Sequence, residues 1–265
     1  MNPKVTCIVV TYNRKDLLKE CLDALLAQSF LPAKIIVFNN CSTDGTEKLF
    51  ESGAEYDTKL IELVNSDSNL GGAGGFSAGV KIACQGDCDW VWIMDDDTIP
   101  EPSALEELIR SANILENNNE FVGFLASYVY GPAGEPMNVP KIDTAVTENG
   151  YSFWYKYLNY GMVRISEATF VSILVPVQAI KQVGYPIAEY FIWGDDCEYT
   201  QRLVKEYGKA YFCGCSKALH KRFNAKKISI LNEENKKRIQ VYRYYYRNIL
   251  LNKRKYKAKM DTISR

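Results

Sequence analysis

The sequence predicts an α/β protein whose mostly parallel central sheet is flanked by helices and followed by a basic helical tail. Three observations carry that prediction. Short apolar runs rich in β-branched residues alternate with stretches of helical periodicity through the first 110 residues; polar side chains follow each run; and charge separates sharply near residue 220. At 265 residues, 47% hydrophobic and 24% charged, the chain can bury one large core, and its composition excludes a disordered, collagenous or coiled-coil protein. No run approaches the roughly 18 consecutive apolar residues that cross a bilayer.

Residues 5–10 and 34–38 read as strands buried on both faces. Between them Leu17, Leu18, Cys21, Leu22, Leu25 and Leu26 recur at three- and four-residue spacing, the apolar stripe of a helix. Strand patterns at 59–64 and 89–94 alternate with helical stretches at 46–52 and 76–84, giving a parallel sheet with helices on its faces. The second half is less regular. Pro and Gly punctuate 131–140, aromatics crowd 151–160, 169–175 is an apolar strand pattern, and a helix over 196–206 precedes a strand at 209–213. Two segments follow: a body over 1–222 and a basic, aromatic-rich helical extension over 223–265.

In open α/β sheets ligands bind beyond the carboxyl ends of the strands. Here those positions read Thr11-Tyr12-Asn13-Arg14, then Asn39-Asn40-Cys41-Ser42-Thr43-Asp44-Gly45, then Asn65 to Gly75, then Asp95-Asp96-Asp97. Strand alternation sends Asp95 and Asp97 to one side, where like charges need a cation; Mg²⁺ or Mn²⁺ suits hard oxygen ligands and a diphosphate. The glycines of Gly71-Gly72-Ala73-Gly74-Gly75 miss the dinucleotide fingerprint, since its third glycine falls on Ser77, and instead let backbone approach a ligand before a helix near Phe76. Trp193-Gly194-Asp195-Asp196-Cys197-Glu198 opens a helix with carboxylates that are either caps or a general base, and His220, the single histidine, lies just past the strand at 209–213.

Together these five motifs resemble the family-2 inverting glycosyltransferases of the GT-A fold, over about residues 4–222, and most of all their galactofuranosyl- and rhamnosyltransferase branch. The resemblance implies a UDP- or dTDP-sugar donor, UDP-galactofuranose first and dTDP-rhamnose as the alternative. It also implies a divalent metal and a bacterial glycan or glycolipid acceptor. It assigns Thr11, Asn13, Arg14, Asn39, Asn40 and Asp96 to the nucleotide, and Asp95, Asp97 and His220 to the metal. Asp196 becomes the base with Asp195 beside it, and Gly72, Gly74, Gly75, Trp193 and Glu198 fall to donor and acceptor. Asn39 departs from the aspartate that many relatives carry there, and the Gln-x-x-Arg-Trp motif of processive polymerases is absent. Phe153, Trp154, Tyr155, Tyr157 and Tyr160 lie in sequence between the two carboxylate groups, either as core or as a flat platform for sugar rings. A catalytically inactive nucleotide-sugar-binding protein would lack the Asp195/Asp196 pair; a nucleotidyltransferase would carry a basic Gly-rich loop near its first strand.

Residues 221–265 hold 15 Lys and Arg against Glu233, Glu234 and Asp261, a net +12 that leaves −12 on the body. Within 236–259 the cations interleave with Tyr, Ile and Leu, the pattern of a helix lying on an anionic membrane surface; nothing in the chain looks able to read nucleic-acid bases. Eight cysteines without doubled zinc spacing, and a first strand with no secretory leader ahead of it, predict reduced thiols in the cytoplasm.

Overall fold

The computed structural model describes residues 3–56, 59–222, 229–233 and 235–256. Its first half follows the predicted alternation. Strand β1 (Val5–Thr11) is buried throughout, helix α1 (Lys15–Leu26) sets Leu18, Cys21, Leu22 and Leu25 against the sheet, and β2 (Lys34–Asn39) and β3 (Ile61–Asn65) continue in parallel. Helix α2 (Gly71–Gln85) and β4 (Trp90–Asp95) complete this half, with β4 parallel to β1 on its other side.

Two expectations are corrected here. The stretch at 46–52 is a short 3-10 turn, Thr46–Phe50, entered through Gly45 at φ +80°. Helix α2 starts five residues before Phe76, because side chains from the neighbouring turns cap it: Leu70 N–H donates to Asn40 Oδ1 (2.8 Å) and Gly71 N–H to Asn69 Oδ1 (2.8 Å). Those amides satisfy donors that a helix start leaves open.

Beyond β4 come β5 (Thr98–Pro100), α3 (Ala104–Asn117), β6 (Val122–Tyr130), β7 (Lys141–Ile142), β8 (Met162–Glu167), β9 (Ile173–Pro176), α4 (Val177–Val183), α5 (Asp195–Glu206), β10 (Lys209–His220), α6 (Lys236–Ile239) and α7 (Tyr242–Tyr256). The sheet runs β3-β2-β1-β4-β9-β6-β10-β8-β7, with β5 pairing β10. It is mixed but largely parallel, since β9 runs antiparallel to β4 and β6 while β6 and β10 are parallel. Apolar clusters cover both faces, one under α1 and α3 and the other under α2, α4 and α5.

The strand expected at 169–175 is confined to Ile173–Pro176, because Ser172 turns the chain at φ 58° and spends its hydroxyl on Ser127 (2.6 Å) and Trp92 (3.1 Å). The strand expected at 209–213 runs on to His220 through an irregularity between Cys213 and Lys217. His220 is therefore the last residue of a strand and pairs with Thr98 on β5, which sets it beside Asp97. Among the described residues no helix is long and apolar enough to cross a membrane.

Candidate functional site

The strand ends and the 190–196 segment enclose a cleft of about 600 Å³. On its floor Asp95, Asp97 and His220 bring one ligand atom each to within 4.8 Å of one another. Asn138 fixes the imidazole. Its Nδ2 donates to Thr169 Oγ1 (2.9 Å), so its Oδ1 faces His220 Nδ1 at 2.8 Å and can only accept. The ring is thereby held through Nδ1, and Nε2 is the nitrogen turned to Asp97 Oδ1, 3.1 Å away. Apart from that imidazole, the buried oxygen has no hydrogen-bond partner among the described residues. An imidazole nitrogen and two carboxylate oxygens converging on one point are a donor set that fits a divalent cation.

The surrounding charges support the same conclusion. Burial, and then the charges of Asp97 and Asp96, push the Asp95 carboxyl well above the usual carboxylate range, and burial pushes Asp96 up to about 6. Burial would raise Asp97 too, but His220 and Arg14 outweigh it and hold Asp97 below its ordinary value. Arg14 Nη1 donates to Asp96 Oδ1 (3.1 Å) and Asp97 Oδ2 (2.8 Å), and Thr11 Oγ1 donates to Asp96 Oδ2 (2.8 Å). Asp96, only 3% exposed, braces the cluster from behind.

Of the residues assigned to the nucleotide, Arg14 lines the cleft and several others are committed to shaping its rim. Asn39 Nδ2 donates to Asn65 Oδ1 (2.8 Å), and Asn40 Nδ2 to the Gly71 carbonyl (2.9 Å). Asn13, at φ 53°, accepts the Thr43 N–H (2.7 Å), and Asp44 caps α1 through the Lys15 N–H (2.9 Å). The Asn-rich turns are thereby laced to one another.

Asp195 and Asp196 open α5 and line the same cleft as the metal-type cluster, together with Trp193. Burial, then the Asp196 charge, pushes Asp195 up to about 8, and burial also raises Asp196. A carboxylate whose proton affinity is raised in a cleft is suited to taking a proton near neutral pH. Arg222 and Arg238 add positive charge to the same walls, a contribution hidden in a tail that reads only as a basic run.

Several assigned residues lie elsewhere. Gly74 and Gly75 face protein instead of a ligand: an added Cβ would come 2.6 Å from Leu70 Cβ and 2.6 Å from Val10 Cγ1. The close approach belongs to Gly71, at φ +71°, whose added Cβ would fall 2.1 Å from the Phe191 carbonyl oxygen; Gly72 borders the cleft with open space beside it. Trp154 rides on a 3-10 turn packed against β8 near the sheet edge, away from the cleft. Glu198 is fully buried. Arg202 (2.9 Å), Lys255 (2.6 Å) and Tyr256 (2.8 Å) all donate to its carboxylate, holding it below the usual range against the effect of burial.

Comparison with known proteins gives the geometry a context. The family model described as glycosyl transferase family 2 matches residues 6–156. Galactofuranosyltransferase GlfT1 of Mycobacterium tuberculosis is 40% identical over 99 residues, covering 37% of this chain and 31% of that protein. The uncharacterized glycosyltransferase YwdF of Bacillus subtilis is 32% identical over 124 residues, 46% of this chain and 44% of that protein. The matches thus span less than half the length of either relative. Among solved structures, S. aureus TarS superposes with a TM-score of 0.61 at 20% identity, over 83% of this chain and 37% of that one, a likeness of fold.

Proposed function

The chain belongs to glycosyl transferase family 2, and on that premise we propose that it moves galactofuranose from UDP-galactofuranose onto a hydroxyl of a bacterial cell-surface glycan or its lipid-linked precursor, with inversion. The observation that carries this reading is that two acidic clusters, Asp95/Asp97/His220 and Asp195/Asp196, line one cleft. The similarity to GlfT1 supports the choice of sugar.

Asp95, Asp97 and His220 would hold Mn²⁺ or Mg²⁺. That ion, when bound, neutralises the departing diphosphate. Arg14 is held by Asp96 and Asp97 at the mouth of the cluster, and with Arg222 and Arg238 it keeps the cleft cationic toward phosphate oxygens. Asp196 takes the proton from the acceptor hydroxyl as that oxygen attacks the anomeric carbon, on the face opposite the nucleotide. One displacement completes the transfer.

The extension adds a membrane role. Tyr242, Tyr244 and Tyr245 of α7 pack inward on Trp193 and Phe191, while Arg243, Tyr246, Leu250, Lys253 and Arg254 are exposed. That outer face suits an anionic leaflet at the cytoplasmic side, where each cation near the surface contributes about 1 kcal/mol. Lys257 and Lys259, part of the same sequence pattern, lie outside the described residues.

Thermal shift of the full chain with UDP, dTDP and GDP in Mn²⁺ tests the donor. UDP is expected to raise the melting temperature; a response to dTDP alone moves the reading to rhamnose, and no response to any of the three overturns it. Cosedimentation with phosphatidylglycerol vesicles tests the surface, and equal binding to neutral vesicles rejects it.

A further inference from the structure

The segment that delivers the paired aspartates has an unfavourable backbone. Phe191 sits at φ 63°, ψ −58°, with Ile192 N–H donating to the Tyr190 carbonyl (2.7 Å), a three-residue turn of the rare, strained hand. Trp193 follows at φ 63° and Gly194 at φ 87°, and α5 begins with the next residue. Bulky aromatics rarely adopt this region, so the conformation persists only where its surroundings dictate it.

One side chain meets most of that demand. Asn248 of α7 is fully buried, and its Nδ2 lies 2.9 Å from the Tyr190 carbonyl oxygen, 3.1 Å from that of Ile192 and 2.7 Å from that of Trp193. Two N–H groups facing three acceptors also fix which end of the amide points inward, because the reverse orientation would set oxygen against oxygen. Asn248 Oδ1 accepts from Arg247 Nε (2.9 Å), which completes the amide. One turn on, Asn252 Nδ2 donates to the Gly194 carbonyl (2.8 Å) and its Oδ1 accepts from Tyr190 Oη (2.8 Å). From the other side, Ala73 N–H of α2 donates to the Phe191 carbonyl (3.1 Å).

We propose that Asn248 is a positioning residue: by gathering the carbonyls of residues 190, 192 and 193 it sets where α5 starts, and so where Asp195 and Asp196 stand relative to the Asp95/Asp97/His220 cluster. The proposal rests on the reading of Asp196 as the base, and it places a determinant of catalysis on a helix beyond the segment 6–156 that the family model matches. Asn248 touches no substrate. It acts through the loop.

The test compares Asn248→Asp, Asn248→Gln, Asn252→Leu and Asp196→Asn in the full chain. The readouts are hydrogen exchange of amides 190–196, UDP affinity by calorimetry in Mn²⁺, and UDP release from UDP-galactofuranose. Asn248→Asp sets a carboxylate against three carbonyls; exchange in 190–196 should rise about tenfold or more and kcat fall on the order of 10²-fold, the scale of an ångström of misplacement, with UDP affinity kept. Asn248→Gln, which keeps the donor, should recover part of the loss. If Asn248→Asp does not fold, Asn252→Leu decides, with the same pattern at about a tenfold loss of kcat. Parent-like exchange and kcat in a folded variant overturn the proposal, and so does a fall of kcat and UDP affinity together. Asp196→Asn separates the two readings: it should keep parent-like exchange while losing turnover, and if it turns over normally the base assignment fails while the exchange data still report on Asn248.

Discussion

Asp95 and Asp97 leave the end of β4, a strand locked between β1 and β9, and their partners Thr11 and Arg14 leave the end of the adjacent β1. Asp195 and Asp196 instead follow a loop with residues 191, 193 and 194 in the left-handed region, held between the start of α2 and the inner face of α7. The first cluster is set by sheet register, in which each residue's place follows from its neighbours. The second is set by contacts across more than 50 residues of chain, as between Asn248 and Trp193. One wall of the cleft is therefore rigid by construction, and the other is conditional on tertiary packing.

The sharpest break of that contrast falls on the rigid wall. Asp97→Asn, or excess EDTA on the parent, should abolish transfer and Mn²⁺ binding by calorimetry while the far-ultraviolet circular dichroism stays native, because register survives loss of a ligand. Next is Asp196→Asn, for which loss of a general base should cost about 10²- to 10⁴-fold in kcat with UDP affinity intact. If Asp195→Asn shows that loss instead, the two carboxyls exchange roles.

Gly71→Ala probes the support of the conditional wall. A Cβ 2.1 Å from the Phe191 carbonyl oxygen, at φ +71°, cannot be absorbed by a side-chain shift. Destabilisation of about 1–3 kcal/mol is expected in denaturant titration, with increased proteolysis near residue 191. Gly72→Ala, with open space at that position, should leave stability near the parent's.

A smaller effect separates function from stability within the pair. Asp195 binds its proton more tightly folded than unfolded, with a folded value near 8, so its contribution to stability is complete below the unfolded carboxylate range and is lost as pH rises through about 8. Asp195→Asn, which keeps the neutral form, should melt higher than the parent at pH 9 in chelator and converge with it near pH 3. A parent that melts as high as the variant at pH 9 removes this account. Smallest of all is Trp154→Ala, expected to leave donor and acceptor KM unchanged, since the side chain lies away from the cleft; a raised acceptor KM would return it to the platform role.

The N-terminal α/β alternation, the strand-end motifs and the metal-type aspartates were legible because each is a local pattern. Buried strands are apolar runs, and hydrogen-bonding side chains at their ends need no distant partner to be recognised. Helix α3 carries a signal of the same local kind, since Leu105, Leu108, Ile109, Ala112 and Leu115 form a stripe like that of α1. The start of α2 is not a local property, because the caps on Leu70 and Gly71 include an amide from residue 40.

By itself the sequence determined the sheet with its helical layers, the acidic pair at the end of β4, the second pair at the start of α5 and the cationic tail. Only the tertiary structure decided that Asn138 would orient His220 toward Asp97, that Glu198 would turn inward to Arg202, Lys255 and Tyr256, and that α7 would grip the loop ahead of Asp195. The reason is physical. Periodicity and strand-end chemistry are properties of short segments, whereas the orientation of a buried amide, imidazole or carboxylate is set by whichever donors and acceptors the rest of the chain brings within hydrogen-bonding distance.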